Sequence, residues 1–180
     1  LMTSGSPAFA QWVQTNGPYG GDIRCMAVSG TNLFAGTENA GVLLSTNNGT
    51  SWTAVNSGLT RMYVYSLVVS GTNLFAGTYD GVFLSTNNGT SWIEVSSGLT
   101  GKHVWSLAVM GSKLFAGTDS GVYLSTDNGS SWSGVDSGLT SRDVRSLAVS
   151  GSNLFAGTFF GGVFLSTNNG TSWTAVNSGL

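Results

Sequence analysis

Apolar residues in this chain come in short runs, 4 to 7 residues long, separated by small polar turns. One stretch reads VYSLVVS-GTN-LFAGT-YD-GVFLS-TNNGTS-WIEVSS-GLT, beginning at Val64. Each run is rich in Val, Leu, Phe, Tyr or Trp, and Gly71, Gly81, Gly89 and Gly98 punctuate them where a tight reversal needs positive φ. No segment carries apolar residues at the three-and-four spacing of an amphipathic helix, so the runs predict β-strands, four to a unit and antiparallel. They are almost continuously apolar instead of alternating, the pattern expected of sheets covered on both faces.

The unit repeats. LFAGT begins at Leu33, Leu74, Leu114 and Leu154, and tryptophan recurs at Trp52, Trp92, Trp132 and Trp173, a period of 40 or 41 residues. The single-residue differences fall in one place, where TENAG and TFFGG are one residue longer than TYDG and TDSG, which marks a loop. Four short strands at this period match a blade of a β-propeller, a sheet that cannot bury both faces without stacking on its neighbours. The expected fold is therefore all-β, a propeller of about four four-stranded blades plus one extra N-terminal strand. An open solenoid of hairpins is the alternative. The predicted division is a disordered edge over residues 1–10, a lone outer strand over 11–21, and blades over 22–61, 62–101, 102–141 and 142–180.

A polar segment ending in tryptophan sits between the third and fourth strands of every unit: STNNGTSW at Ser45, Ser85 and Ser166, and STDNGSSW at Ser125. The segment resembles the Asp box, or BNR repeat, of pattern S-x-D-x-G-x-x-W, found in sialidases, sortilin-type receptors, xyloglucanases and a photosystem II assembly factor. The resemblance extends over nearly the whole chain and implies a structural hairpin in each blade. Asn47, Asn87, Asp127 and Asn168 would hydrogen-bond within the turn. Gly49, Gly89, Gly129 and Gly170 would take the left-handed conformation, and Trp52, Trp92, Trp132 and Trp173 would wedge beneath the turn or between sheets. Asn in place of Asp at three of the four sites argues against a shared calcium site. The Asn-Gly-Thr/Ser sequons at Asn48, Asn88, Asn128 and Asn169 are explained by the turn itself.

The ends of the repeat do not balance. QWVQTNGPYGG, Gln11–Gly21, resembles the fourth strand SWTAVNSGLT without the three before it, yet the chain also finishes with that strand. Such a chain is expected to be incomplete alone. Either further blades of a longer chain or a second copy, as a dimer, would complete it.

Composition narrows the chemistry. Charged residues are 8% of the chain and the formal net charge is −2, against roughly 25% charged in an average soluble domain. So few cations exclude a nucleic-acid partner. No apolar run of about 18 residues offers a membrane span. A low-charge surface rich in Ser, Thr and Asn points to an extracellular or periplasmic setting. The lone cysteine, Cys25, stands where other units have Ser66, Ser106 and Ser146, a small, partly buried position, and excludes disulfide and cysteine-based metal sites. No metal or cofactor is implied.

Differences among the units collect in two places: the lead-in to the first strand (PYGGDIR, TRMYVYS, TGKHVWS, TSRDVRS) and the link from second to third strand (ENA, YD, DS, FF). In an up-and-down blade both emerge on one rim, and the tryptophan hairpin on the other. Loops that drift after duplication would also vary in this way. As a binding face, the rim would offer aromatics beside Arg and Asp, suited to sugars or peptides. Arg24, Tyr65, Trp105 and Arg145, equivalent at the start of the first strand, are the leading candidates, with Tyr63, His103, Tyr79 and Asp143 beside them. Lys102 and Tyr19 share that rim.

Resemblance to sialidases would imply an arginine cluster, a Tyr–Glu nucleophile pair and an acid/base Asp. Only Glu38 and Glu94 are available as glutamates, no RIP signature is present, and no spacing singles out a carboxylate pair among Asp22, Asp80, Asp119 and Asp143. His103 has no Ser or Cys partner and reads as an exposed loop residue. The expectation is a non-catalytic binding or scaffold module. A fragment of an Asp-box glycoside hydrolase and a purely structural assembly module are the alternatives.

Overall fold

The computed structural model describes residue 17 and residues 22–99 and 103–180. The strand expected over residues 11–21 lies, Gly17 aside, outside these, as do Tyr19 and Lys102. Sixteen strands and no helix occur among the described residues. They form four separate antiparallel sheets. The first blade contains β1 (Ile23–Ser29), β2 (Asn32–Thr37), β3 (Val42–Ser45) and β4 (Thr53–Ala54). The second contains β5 (Val64–Ser70), β6 (Asn73–Thr78), β7 (Gly81–Ser85) and β8 (Ile93–Glu94). The third contains β9 (Val104–Met110), β10 (Lys113–Thr118), β11 (Gly121–Ser125) and β12 (Ser133–Gly134), and the fourth β13 (Val144–Ser150), β14 (Asn153–Thr158), β15 (Gly162–Ser166) and β16 (Thr174–Ala175). Within each sheet the strands lie in sequence order. This is the propeller-blade arrangement that the period predicts.

No blade has a core of its own. Among the described residues apolar side chains gather in three clusters, and each lies between consecutive blades. Phe34, Val42 and Leu59 of the first meet Val64, Leu67, Phe83 and Trp92 of the second. Phe75, Val82 and Leu99 meet Val104, Leu107 and Trp132; Phe115, Val122 and Leu139 meet Val144, Leu154, Phe164 and Trp173. The nearly continuous apolar runs follow from this, because an inner blade buries both faces of its sheet. Polar contacts reinforce the stacking: the Ser66 hydroxyl accepts from the Leu107 N–H at 2.9 Å, and Ser106 from Leu147 at 3.0 Å. Cys25 keeps the small, half-buried position read from the sequence, its sulfur 4.0 Å from the Val64 carbonyl. Burial pushes the thiol up to about 12, so it is not a thiolate at neutral pH.

The loop-length difference has a structural counterpart that sequence reading missed. In the two blades with the longer link, Asn56 and Asn177 span it. Asn56 accepts from the Val42 N–H at 2.7 Å and donates to the Ala40 carbonyl at 2.8 Å; Asn177 does the same with Val163 and Gly161. Where the link is shorter, in the second blade, the Ser96 hydroxyl takes the Val82 N–H at 2.9 Å. In the third blade, whose link is equally short, the position carries Asp136, which pairs with Arg142 at 3.4 Å.

Two glycines with left-handed backbone separate turn strain from blade stacking. Gly98 (φ +91°) lies against the carbonyl of Trp132 in the next blade, whereas Gly111 (φ +63°) has open space where a Cβ would stand. Gly111→Ala is expected to cost only the conformational term, about 1–2 kcal/mol. Gly98→Ala adds a backbone clash across the blade interface and should lose at least about twice as much. Urea unfolding of the two variants checks the order, and equal losses would refute the assignment.

Candidate ligand-binding rim

The lead-in to each blade and its second-to-third-strand link lie together at one end of the sheets. Backbone bonds tie them: Glu38 N–H to the Asp22 carbonyl, Tyr79 to Tyr63 and Phe159 to Asp143, at 3.0, 3.3 and 2.9 Å. Side chains pair across the same junction, Arg24 with Glu38, Arg61 with Asp80 at 2.9 Å and the His103 ring with Asp119 at 3.3 Å, while Arg145 holds Asp143 at 2.7 Å within one lead-in. The Glu38 hydrogen bond raises the pKa of the Arg24 guanidinium.

Arg24, Tyr65, Trp105 and Arg145 share a feature that no sequence signal gave. The pairing of first and second strands slips at that residue in all four blades: Ile23 pairs with Thr37 and Cys25 with Gly36, leaving Arg24 without an opposite number, and the other three are skipped in the same way. A β-bulge bends the strand and re-aims the extra side chain, and bulges recur beside functional sites.

These bulged residues and their neighbours form a continuous ridge across the second, third and fourth blades. The ring centroids of Tyr63 and Tyr79 lie 6.3 Å apart, Tyr79 and His103 4.1 Å, His103 and Trp105 5.1 Å, and Trp105 and Tyr65 4.7 Å. The Arg145 guanidinium stands 4.1 Å above the Trp105 ring and 5.0 Å from Phe159, which packs on the fully exposed Phe160. A cation held over an indole is attractive in its own right. Burial raises the Tyr65 hydroxyl above the usual tyrosine value.

His103 departs from the exposed loop residue expected of it. Wedged between Tyr79 and Trp105 and paired with Asp119, its side chain is 28% exposed. Seven of the eight candidates thus share one ring-and-cation cluster or its salt bridge; Arg24 pairs with Glu38 in the first blade. Two buried polar atoms on this rim have no hydrogen-bond partner: Nε1 of Trp105 and Oδ1 of Asp143. Such orphans are uncommon in folded proteins. The sequence could not show them, because they depend on side-chain placement. Glu94 lies exposed in the outer strand β8, as expected. Among the described residues no cluster of His, Cys, Asp or Glu could hold a metal ion, and no helix is long and apolar enough to cross a membrane.

The tryptophan hairpins occupy the other end of the blades, and their bonds are local. The Ser45 hydroxyl donates to Asn47 Oδ1 at 3.0 Å and accepts from the Gly49 N–H at 2.8 Å, and Asn47 Oδ1 also accepts from the Ser51 N–H at 2.9 Å. The same set recurs at Asn87 and Asn168. At Asp127 one bond reverses direction. Asn47 Nδ2 donates to the Ser51 hydroxyl, whereas the Ser131 hydroxyl donates to Asp127 Oδ2 at 2.6 Å. This bond, the Ser131 N–H and the Ser125 hydroxyl lower the Asp127 carboxyl from 3.8 to about 2. Not only the glycine but also the preceding asparagine is left-handed, with φ of 56° at Asn48, Asn88 and Asn128 and 58° at Asn169. Asn tolerates that conformation better than other non-glycine residues, which accounts for its presence in all four copies.

The model of the DUF6242 beta propeller domain family matches residues 60–180, more than half of the chain. The chain belongs to that family. Among solved structures it is similar to an ancestral GH74 enzyme, at 25% identity and a TM-score of 0.76, covering 94% of this chain and 26% of that one. The extracellular domain of BT4673 from B. thetaiotaomicron is 19% identical with a TM-score of 0.77, over 91% of this chain and 23% of the other. YCF48, solved bound to D1 peptide, is 17% identical with a TM-score of 0.65, over 94% and 58%. The chain thus spans about a quarter of the length of the first two. No curated protein matches it in sequence.

The lowered Asp127 carboxyl makes one turn sensitive to acid. A depressed carboxyl contributes stability that is complete above the unfolded value near 3.8 and lost as pH falls through about 2. Asp127→Asn, which copies the other three turns, removes that dependence. Thermal unfolding of the two proteins is expected to differ little at pH 7, with the wild type losing melting temperature relative to the variant between pH 4 and 2. Parallel curves through that range would show that Asp127 carries no such linkage.

Proposed function

We propose that this propeller is a non-catalytic, extracellular recognition module whose loop-rich rim binds an extended peptide segment of a protein partner. The observation that carries the reading is the ridge of rings from Tyr63 to Trp105 and Tyr65, with the Arg145 guanidinium held over the Trp105 indole. Aromatic and arginine side chains grouped in this way are the usual anchors for a bound segment of a protein partner.

The ring geometry favours peptide over sugar. Neighbouring rings are tilted at 46° to 64° along the run from Tyr63 to Trp105 and Tyr65, and Arg145 covers the indole. They make an interlocked ridge with crevices for side chains, not the open flat ring that a pyranose stacks on. The solved complex of the related fold in YCF48 with D1 peptide is compatible with this use.

Catalysis is not part of the proposal. Glu38, Asp80 and Asp143 each pair with an arginine and Asp119 with the His103 ring, and glycoside hydrolysis needs two carboxylates free to act on one bond. The hairpins at the opposite end are, in this reading, Asp boxes serving as scaffold.

Screening the protein against a peptide array and a glycan array tests the assignment. Peptide ligands are expected, and Trp105→Ala or Arg145→Ala should weaken them about tenfold or more, as for central aromatic and arginine anchors. The Arg145 side chain is 43% exposed, so that variant should keep its melting temperature. Binding confined to glycans, or peptide affinity untouched by both substitutions, would overturn the proposal.

A further inference from the structure

Each tryptophan hairpin contains an Asn-Gly pair: Asn48–Gly49, Asn88–Gly89, Asn128–Gly129 and Asn169–Gly170. Asn-Gly is the dipeptide most prone to deamidation, because glycine has no side chain to obstruct attack by its own backbone nitrogen. In that reaction the glycine nitrogen gives up its proton and bonds to the asparagine Cγ. The Cγ–Nδ2 bond breaks and ammonia leaves. Water then opens the five-membered imide to aspartate or isoaspartate, with no change of oxidation state. Asn48, Asn88 and Asn128 are exposed, so burial does not protect the carbon under attack.

The attacking nitrogen is placed differently. Gly49 is buried and its N–H donates to the Ser45 hydroxyl at 2.8 Å; Gly89, Gly129 and Gly170 are bound in the same way to Ser85, Ser125 and Ser166 at the same distance. All four serines are 1% exposed. Each hydroxyl gives its own proton to the residue two positions on, Asn47, Asn87, Asp127 or Asn168, so a lone pair faces the glycine and the direction of the bond is fixed. The backbone adds a second obstacle. Closing the imide requires the asparagine Cβ and the glycine nitrogen to eclipse one another about the Cα–C bond. The four asparagines are left-handed, with φ of 56° to 58°. In that region ψ is about +47°, which turns the two atoms to nearly opposite sides of the bond. Reaching the reactive geometry would rotate the peptide plane and pull the glycine N–H off the serine.

We infer that the buried serine opening each hairpin guards its Asn-Gly pair against deamidation. Asparagine holds the left-handed position for its conformation, and the serine hydroxyl suppresses the side reaction that this residue brings with it. The stake is structural. Isoaspartate would insert an extra backbone carbon into the turn, three residues before the tryptophan that the turn presents.

Peptide mapping by mass spectrometry, after incubation of the full chain in mildly alkaline buffer, tests this. All four pairs are expected to convert in urea, and in the folded protein to do so at least about tenfold more slowly, the rate equivalent of one hydrogen bond. Ser85→Ala should raise conversion at Asn88 by about the same factor and leave Asn48, Asn128 and Asn169 intact. Should that variant unfold, all four sites would convert together, and Ser45→Ala, read at Asn48, takes its place. Asn87→Ala removes other side-chain bonds of the same turn but leaves the Ser85 hydroxyl on the Gly89 N–H. It should convert Asn88 more slowly than Ser85→Ala does, and equal rates would show that the rigidity of the turn protects Asn88 and the serine does not. Conversion in the folded wild type as fast as in urea would overturn the inference, as would a folded Ser85→Ala in which Asn88 converts no faster than its three counterparts.

Discussion

The fold depends on one residue in each of the second, third and fourth blades being anchored in the blade before it. A hairpin tryptophan donates two hydrogen bonds to the preceding blade and buries its ring between two sheets. A four-stranded sheet whose outermost strand has two residues has little stability alone. Stacking removes the apolar faces from water and fixes the register between blades at the same time. The polar turn before each tryptophan exists to present it, which is why its hydrogen bonds point inward to its own backbone.

This division of labour leaves the opposite rim free to differ. One end of every blade is committed to a repeated structural turn, so substitutions there are felt at an interface. At the other end the links rest mainly on their own lead-ins, through backbone bonds and exposed ion pairs that solvent and salt screen. Chemistry can change there without unseating a blade. The bulge at the start of the first strand of each blade places one variable residue at the equivalent position, as Arg, Tyr, Trp and Arg.

The third blade shows how close the repeats are and where they part. Its hairpin carries Asp127 in place of Asn, and the turn survives because the Ser131 hydroxyl can act as donor as readily as acceptor. Its lead-in contributes His103 and Trp105, the centre of the aromatic ridge. The scaffold end thus tolerates only a swap that keeps the bonding pattern, whereas the rim end accepts new side chains outright.

The sequence by itself determined the architecture. The 40-residue period, the glycines between short apolar runs and the four tryptophans specify antiparallel blades, since each local preference agrees with the same stacked arrangement. It also placed Arg24, Tyr65, Trp105 and Arg145 at equivalent positions, because differences between near-identical repeats stand out by simple comparison. Only the tertiary structure decided what those residues do to one another. That Arg145 lies over Trp105, that His103 is wedged between rings, and that Trp52, Trp105 and Asp143 retain unpaired polar atoms depend on how side chains of different blades are placed against one another. Periodicity reports which face of a strand is apolar. It carries no information on which neighbour covers it.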